Sequence, residues 1–133
     1  MKAYIKQIAY YLPEISISNE KLIEEFPEWT VGKIASKVGV NNRHVAGEQE
    51  TASDMAVAAA NNLFTVDSDI RREDIDFVLF CTQSPDYFLP TSACLIQDRL
   101  GLRTNIGAID FNLGCSGYVY GLAIAKGLIT GRI

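Results

Sequence analysis

Residues 75–82, Ile-Asp-Phe-Val-Leu-Phe-Cys-Thr, form a nearly continuous apolar run of strand length. A strand that is apolar on both faces must be covered on both, which is the situation of a central strand in a parallel sheet. Residues 3–10 and 106–112 read as further strands, the first ending before Pro13. Helical segments lie between them. One runs from about Asn19 to Phe26, with Leu22, Ile23 and Phe26 on one face and Pro27 stopping it. Thr51-Ala-Ser-Asp54 has the shape of a capping box, with apolar residues at helical spacing behind it. Residues 91–100 have Pro90 near the start and Gly101 just past the end. The segment 28–48 gives no clear reading. Alternating strands and helices predict an α/β layer with a parallel sheet and right-handed crossovers.

The last helix, from about Cys115 to Ile129, is apolar nearly all round, with Lys126 its only charge. Such a helix is expected to be buried on most sides. Gly117 and Gly121 lie four apart on one face, where they allow another element to approach closely. A chain of 133 residues has little to wrap around it, so the expectation is a single partial domain over residues 1–133.

Composition excludes several classes. At 48% hydrophobic and 21% charged, the chain is globular rather than disordered. A net charge of −4 with scattered Lys and Arg argues against nucleic acid. No apolar run approaches the ~20 residues of a membrane span. The N-terminus lacks a signal-peptide stretch, so a cytoplasmic location is the expectation. Three cysteines, Cys81, Cys94 and Cys115, fit no zinc spacing and are expected as free thiols with no metal. Cys81, in an apolar strand, and Cys94, inside a helix, read as core residues.

Cys115 is different. In Ile109-Asp-Phe-Asn-Leu-Gly-Cys-Ser-Gly117 a strand runs into Gly114, then the cysteine, then a helix. A nucleophile at a strand-to-helix turn is presented at the end of the sheet. Helix amides and dipole favour a thiolate there and can bind an oxyanion. A small residue filling a tight turn would look the same, but the glycines at 114, 117 and 121 clear space around the thiol. Asn112 reads as a turn residue.

The segment Asp110-Phe-Asn-Leu-Gly-Cys-Ser-Gly-Tyr-Val-Tyr-Gly-Leu122 resembles the active-site segment of 3-ketoacyl-(acyl carrier protein) synthase III enzymes, condensing enzymes of the thiolase fold. Cys81-Thr-Gln-Ser-Pro-Asp-Tyr-Phe-Leu-Pro-Thr-Ser-Ala-Cys-Leu-Ile-Gln97 resembles the family's Thr-Thr/Ser…Pro-Ser/Thr-x-Ala-x-x-Ile/Val-Gln segment. Glu28-Trp29 followed by Gly39-Val-Asn-Asn-Arg-His44 resembles its Glu-Trp…Arg-His segment, and Tyr11-Leu12-Pro13 the end of its first strand.

The resemblance implies the N-terminal half of a thiolase-like fold: a parallel sheet of strand order 3-2-1 and a buried helix after the nucleophile turn. It implies an acyltransferase in which Cys115 takes an acyl group from acyl-CoA and condenses it with malonyl-acyl carrier protein, in fatty acid or related acyl biosynthesis. No cofactor is implied beyond acyl-CoA as substrate. Trp29 would stack near the adenine of coenzyme A, or be a core or lid aromatic. Lys33 or Lys37 would stand where the family has a basic residue, because the segment between Trp29 and His44 looks longer than usual. Leu89, with Tyr87 and Phe88, would form a loop reaching the partner subunit's acyl tunnel. His44 would belong to a structural Arg-His pair. The family's polarising His and Asn lie in the second half of such enzymes, so this chain alone is expected not to condense. A homodimer through strand 106–112 is the expected assembly.

Two alternatives within reach are a family acyltransferase acting on oxygen or nitrogen, and a non-catalytic dimerising half-domain. A cysteine hydrolase would need a base near Cys115, and His44 is the single histidine.

Overall fold

Capping chemistry decides where the helices of this chain begin. The computed structural model describes residues 2–131, in two compact units, Leu12–Glu50 and the remainder.

In the unit Leu12–Glu50, strand β1 (Ile15–Ser18) pairs antiparallel with β2 (Asn42–Val45), Ser16 opposite His44. Helix α1 (Asn19–Glu25) follows β1 directly and is capped by Ser18, whose hydroxyl accepts from the Lys21 amide. Asn19 is buried, with a partner at each end of its side-chain amide. Its Nδ2 donates to the Val40 carbonyl and its Oδ1 accepts from the Arg43 guanidinium. Helix α2 (Val31–Val38) is capped by Thr30, and Gly39 ends it in the left-handed region at φ 70°, which favours glycine.

In the other unit, α3 (Ala52–Val66) starts on the capping box expected at Thr51 and Asp54, with both reciprocal bonds formed. A 3-10 turn (Arg72–Asp74) leads into β3 (Phe77–Cys81). Then come α4 (Ser92–Arg99), β4 (Gly107–Phe111) and α5 (Gly117–Gly131). β3 and β4 are parallel, Phe77 opposite Gly107 and Cys81 opposite Phe111, joined through α4. Buried Ile96, Leu100 and Leu102 form the core, packed by Val78 and Phe80 of β3 and by Ala56, Val57, Ala60 and Phe64 of α3. The alternate β3 residues Leu79 and Cys81 line a pocket with α5. Both faces of the apolar run are therefore used, as its composition requires.

Three expectations are corrected. The sheet is not three strands in the order 3-2-1, for the described residues form two separate two-stranded sheets. Residues 3–10 form no strand, and Tyr4, Ile5, Ile8 and Tyr10 stand exposed. Apolar alternation prepares a strand, but a strand exists only where a neighbour takes up its amides and carbonyls. Nor is α5 buried after the nucleophile turn. Gly117 faces the sheet, but Tyr118, Val119, Tyr120, Leu122, Ile124 and Ile129 are exposed. One sheet face can cover one stripe of a helix, whatever the composition of the other stripes.

Candidate active site

β4 ends at Phe111, and the next five residues, including Cys115, are exposed. Helix α5 begins at Gly117, two residues beyond the cysteine, so Cys115 sits in the turn ahead of the helix. The turn is closed by the Gly117 amide donating to the Gly114 carbonyl at 2.8 Å. That amide is therefore committed, and is not a donor for an oxyanion. No acidic residue lies in the first turn of α5.

The glycines around the thiol have steric reasons. A Cβ on Gly117 would overlap Cys81 Sγ, and one on Gly121 would come to 3.2 Å from the Phe111 ring. Close approach of α5 to the sheet thus depends on both, as their spacing predicts. A Cβ on Gly114 would stand 3.4 Å from Gln83 Oε1, so the Gln83 side chain lies against the turn that carries Cys115. Cys81 is half-buried beneath the helix and donates weakly to the Leu113 carbonyl at 3.5 Å. Cys94 is not a core residue: it is exposed on α4 and accepts from the Thr91 hydroxyl. Its neighbours Ala93 and Ile96 take the buried face of that short helix.

The loop between β3 and α4 leaves the sheet beside the nucleophile turn, with the Thr82 amide donating to the Phe111 carbonyl at 3.2 Å. Its tip is apolar and open. Tyr87 is 61% exposed, Phe88 100% and Leu89 82%. Its base is polar. Asp86 accepts from the Ser53 hydroxyl and the Ser53 amide, and the Asp86 amide donates to Ser92 Oγ. Asp110, on β4, accepts from the Ser92 and Ala93 amides at 2.7 and 2.6 Å and so caps α4 from another element. Gln83, Asp86 and Asp110 stand in the sequence only as members of longer motifs, with no role of their own assigned to them. The partners of their side chains lie from 17 to 33 residues away, beyond any local pattern.

In the other unit Trp29 is half-buried. It lines an apolar pocket with Leu22, Phe26, Ile34 and Val38. Lys33 Nζ stands 4.8 Å and Lys37 Nζ 5.7 Å from its ring centroid, so both lysines attend the ring. His44 Nδ1–H donates to the Pro13 carbonyl, and Arg43 donates to the Ile17 carbonyl. Both side chains are thus bonded to backbone within their own unit. No group of three or more potential metal ligands occurs among the described residues, and no helix there is long and apolar enough to cross a membrane.

An exposed thiol between a strand and a glycine-relieved helix, beside an apolar loop, can attack an activated carbonyl and hold the product as a thioester. No family model matches the chain. Individual proteins do. The chain is 41% identical over 131 residues to beta-ketoacyl-[acyl-carrier-protein] synthase III of Sulfurovum sp., covering 96% of this chain and 37% of that protein. A crystal structure of 3-oxoacyl-(acyl-carrier-protein) synthase III superposes with a TM-score of 0.87 at 50% identity, over 96% of this chain and 38% of that one. The beta-ketoacyl-[acyl carrier protein] synthase III of Thermus thermophilus superposes with a TM-score of 0.86 at 31% identity, over 98% and 39%. The chain thus spans under two fifths of the length of the proteins it matches. With the turn of Cys115 and the parallel pair behind it, this similarity makes the chain a partial-length homologue of beta-ketoacyl-[acyl-carrier-protein] synthase III.

Proposed function

We propose that this chain is the nucleophile-bearing part of a beta-ketoacyl-[acyl-carrier-protein] synthase III-type acyltransferase, with Cys115 as the acyl acceptor. The observation that carries the reading is the exposed Cys115 in the turn between β4 and α5. The thiolate attacks the carbonyl carbon of an acyl-CoA. The bond from that carbon to the coenzyme A sulfur breaks, and the leaving thiolate takes up the proton released by Cys115. In the complete enzyme the acyl-cysteine then meets the carbanion left by decarboxylation of malonyl-acyl carrier protein, giving a 3-ketoacyl thioester. That step needs groups that polarise the malonyl thioester. His44, the single histidine here, already donates to a backbone carbonyl. This chain by itself therefore accepts an acyl group without condensing it.

Trp29, with Lys33 and Lys37, is the proposed coenzyme A-binding group: an aromatic face for the adenine and two cations for phosphate. Leu89, Tyr87 and Phe88 form the proposed acyl-pocket or dimer loop, supported by their exposure and apolar character. The proposed homodimer pairs β4 with its symmetry mate, since among the described residues β4 has β3 on one side only and Ile109 is 43% exposed. A non-catalytic associating module is the second reading, favoured by the apolar outer face of α5.

Incubating the folded chain with acetyl-CoA and longer acyl-CoAs, followed by intact-mass measurement and peptide mapping, tests the proposal. The expected result is one acyl group on Cys115, absent in Cys115→Ala. Acylation confined to Cys94 or Cys81, or no acylation at all, would overturn it. With malonyl-acyl carrier protein added, no 3-ketoacyl product is expected from this chain.

A further inference from the structure

β3 and β4 run parallel with Cys81 opposite Phe111, so the chain leaves both strands at the same end of the sheet. The residues after Cys81 therefore run beside the residues after Phe111, where the nucleophile turn begins. Two amides fix the backbone on either side of Gln83. Thr82 donates to the Phe111 carbonyl at 3.2 Å, and Ser84 donates to Thr82 Oγ1 at 3.0 Å. Gln83 stands two residues beyond Cys81, and strand alternation carried past the strand end puts it on the face that Cys81 presents to α5.

The Gln83 side chain lies over Gly114. A Cβ on that glycine would stand 3.4 Å from Gln83 Oε1 and 3.7 Å from Nε2. Gly114 and Cys115 are consecutive, with Cα atoms about 3.8 Å apart. The carboxamide is thus within about 9 Å of the Cys115 Cα. The carbonyl carbon of an acyl group on the thiol is three bonds from that same atom.

Packing gives this carboxamide no task. Gln83 is exposed, and its side chain has no hydrogen-bond partner among the described residues. Its polar neighbours are committed: Thr82 Oγ1 accepts from Ser84, and Asp86 accepts from Ser53. With both of its ends free, the amide can turn its NH2 group toward an acceptor held at the turn. The Gly117 amide, already bonded to the Gly114 carbonyl, offers nothing to such an acceptor.

We propose that Gln83 contacts the substrate, its carboxamide donating a hydrogen bond to the thioester carbonyl of the acyl group on Cys115. This rests on the acyltransferase reading above. The carbonyl oxygen gains negative charge as the thiolate adds to the carbon, so a donor aimed at it stabilises the transition state more than the ground state.

The test uses the full 133-residue chain as wild type, Gln83→Met and Gln83→Glu. Methionine keeps the length of the side chain and removes the donor, and an ionised glutamate offers acceptors alone. Acylation at saturating acetyl-CoA should fall about tenfold in Gln83→Met, the modest loss expected for one neutral donor open to water, and further in Gln83→Glu. Isotope-edited infrared spectra of the acetyl group on Cys115, labelled at its carbonyl, read the bond itself. The carbonyl stretch should move to higher wavenumber in both variants. Alkylation of Cys115 by iodoacetamide, which attacks no carbonyl, should keep its wild-type rate. An unchanged carbonyl band in Gln83→Met overturns the proposal. So does a fall in alkylation equal to the fall in acylation, for Gln83 would then act on the thiol or on the fold and not on the acyl carbonyl. Failure of the wild-type chain to accept any acyl group would instead sink the acyltransferase reading itself, and the role of Gln83 with it.

Discussion

The three cysteines occupy three environments. Cys115 and Cys94 are both exposed near the start of a helix, while Cys81 is half-buried under α5. The helix ends differ in charge. At α4 the first amides are already taken by the Asp110 carboxylate, whereas the first turn of α5 holds no acidic residue. Cys115 stands open in its turn, whereas Cys94 Sγ already accepts from the Thr91 hydroxyl and Cys81 is half-buried. Timed alkylation of the folded chain, mapped by mass spectrometry, should therefore label Cys115 first, Cys94 next and Cys81 last. Faster labelling of Cys94 or Cys81 would assign the nucleophile wrongly. The place of Cys115 was legible because a glycine, a cysteine and a change of period fall together in the sequence. The exposure of Cys94 was not, because residue type alone does not say which side of a short helix faces the core.

Among the elements, α3 was the most legible. Its cap, its apolar spacing and its length are all local, and all three hold in the structure. Asp54 accepts from the Thr51 amide, the Thr51 hydroxyl and Arg99, and these bonds hold its carboxyl below the ordinary range, the Thr51 amide contributing most. A carboxyl depressed in the folded state adds stability above the unfolded pKa and loses it as pH falls through the folded value. The stability advantage of wild type over Asp54→Asn should therefore shrink from about pH 5 to about pH 2. Chemical denaturation at a series of pH values would show it. An advantage unchanged with pH would mean that the box acts through shape and not charge. α2, β1 and β2 went unread, although Thr30 and Gly39 stand at the ends of α2 as a cap and a stop. Eight helical residues between short strands leave too little periodicity to separate the three.

At the scale of the molecule, apolar surface outruns what the chain can cover. α5 shows its sheet-facing stripe to β3 and β4 and leaves its other apolar residues exposed, and residues 3–10 lie near Ala59, Ala60 and Leu63 without forming a strand. Exposed contiguous apolar surface marks an association site. The free edge of β4 offers a two-fold contact that closes on itself. Light scattering at micromolar concentration should find a dimer, and Ile109→Lys should shift it toward monomer by placing a charge on the paired strand. A monomeric wild type, or a dimer indifferent to the lysine, would place the interface elsewhere, with the outer face of α5 the next candidate.

The residue pattern alone determined the parallel β3–α4–β4 unit, the cap of α3, the closeness of α5 to the sheet at Gly117 and Gly121, and Cys115 at the turn. Each depends on neighbours within a few residues, or on composition that only one environment tolerates. The tertiary structure alone decided that residues 3–10 form no strand, that α5 is covered on one stripe, that two lysines flank Trp29, and that Asp86 and Asp110 hold the loop and α4. Those outcomes depend on which groups meet across long stretches of chain. A strand needs its partner, a buried hydroxyl its acceptor and a helix face its cover, and no local pattern states whether they are there.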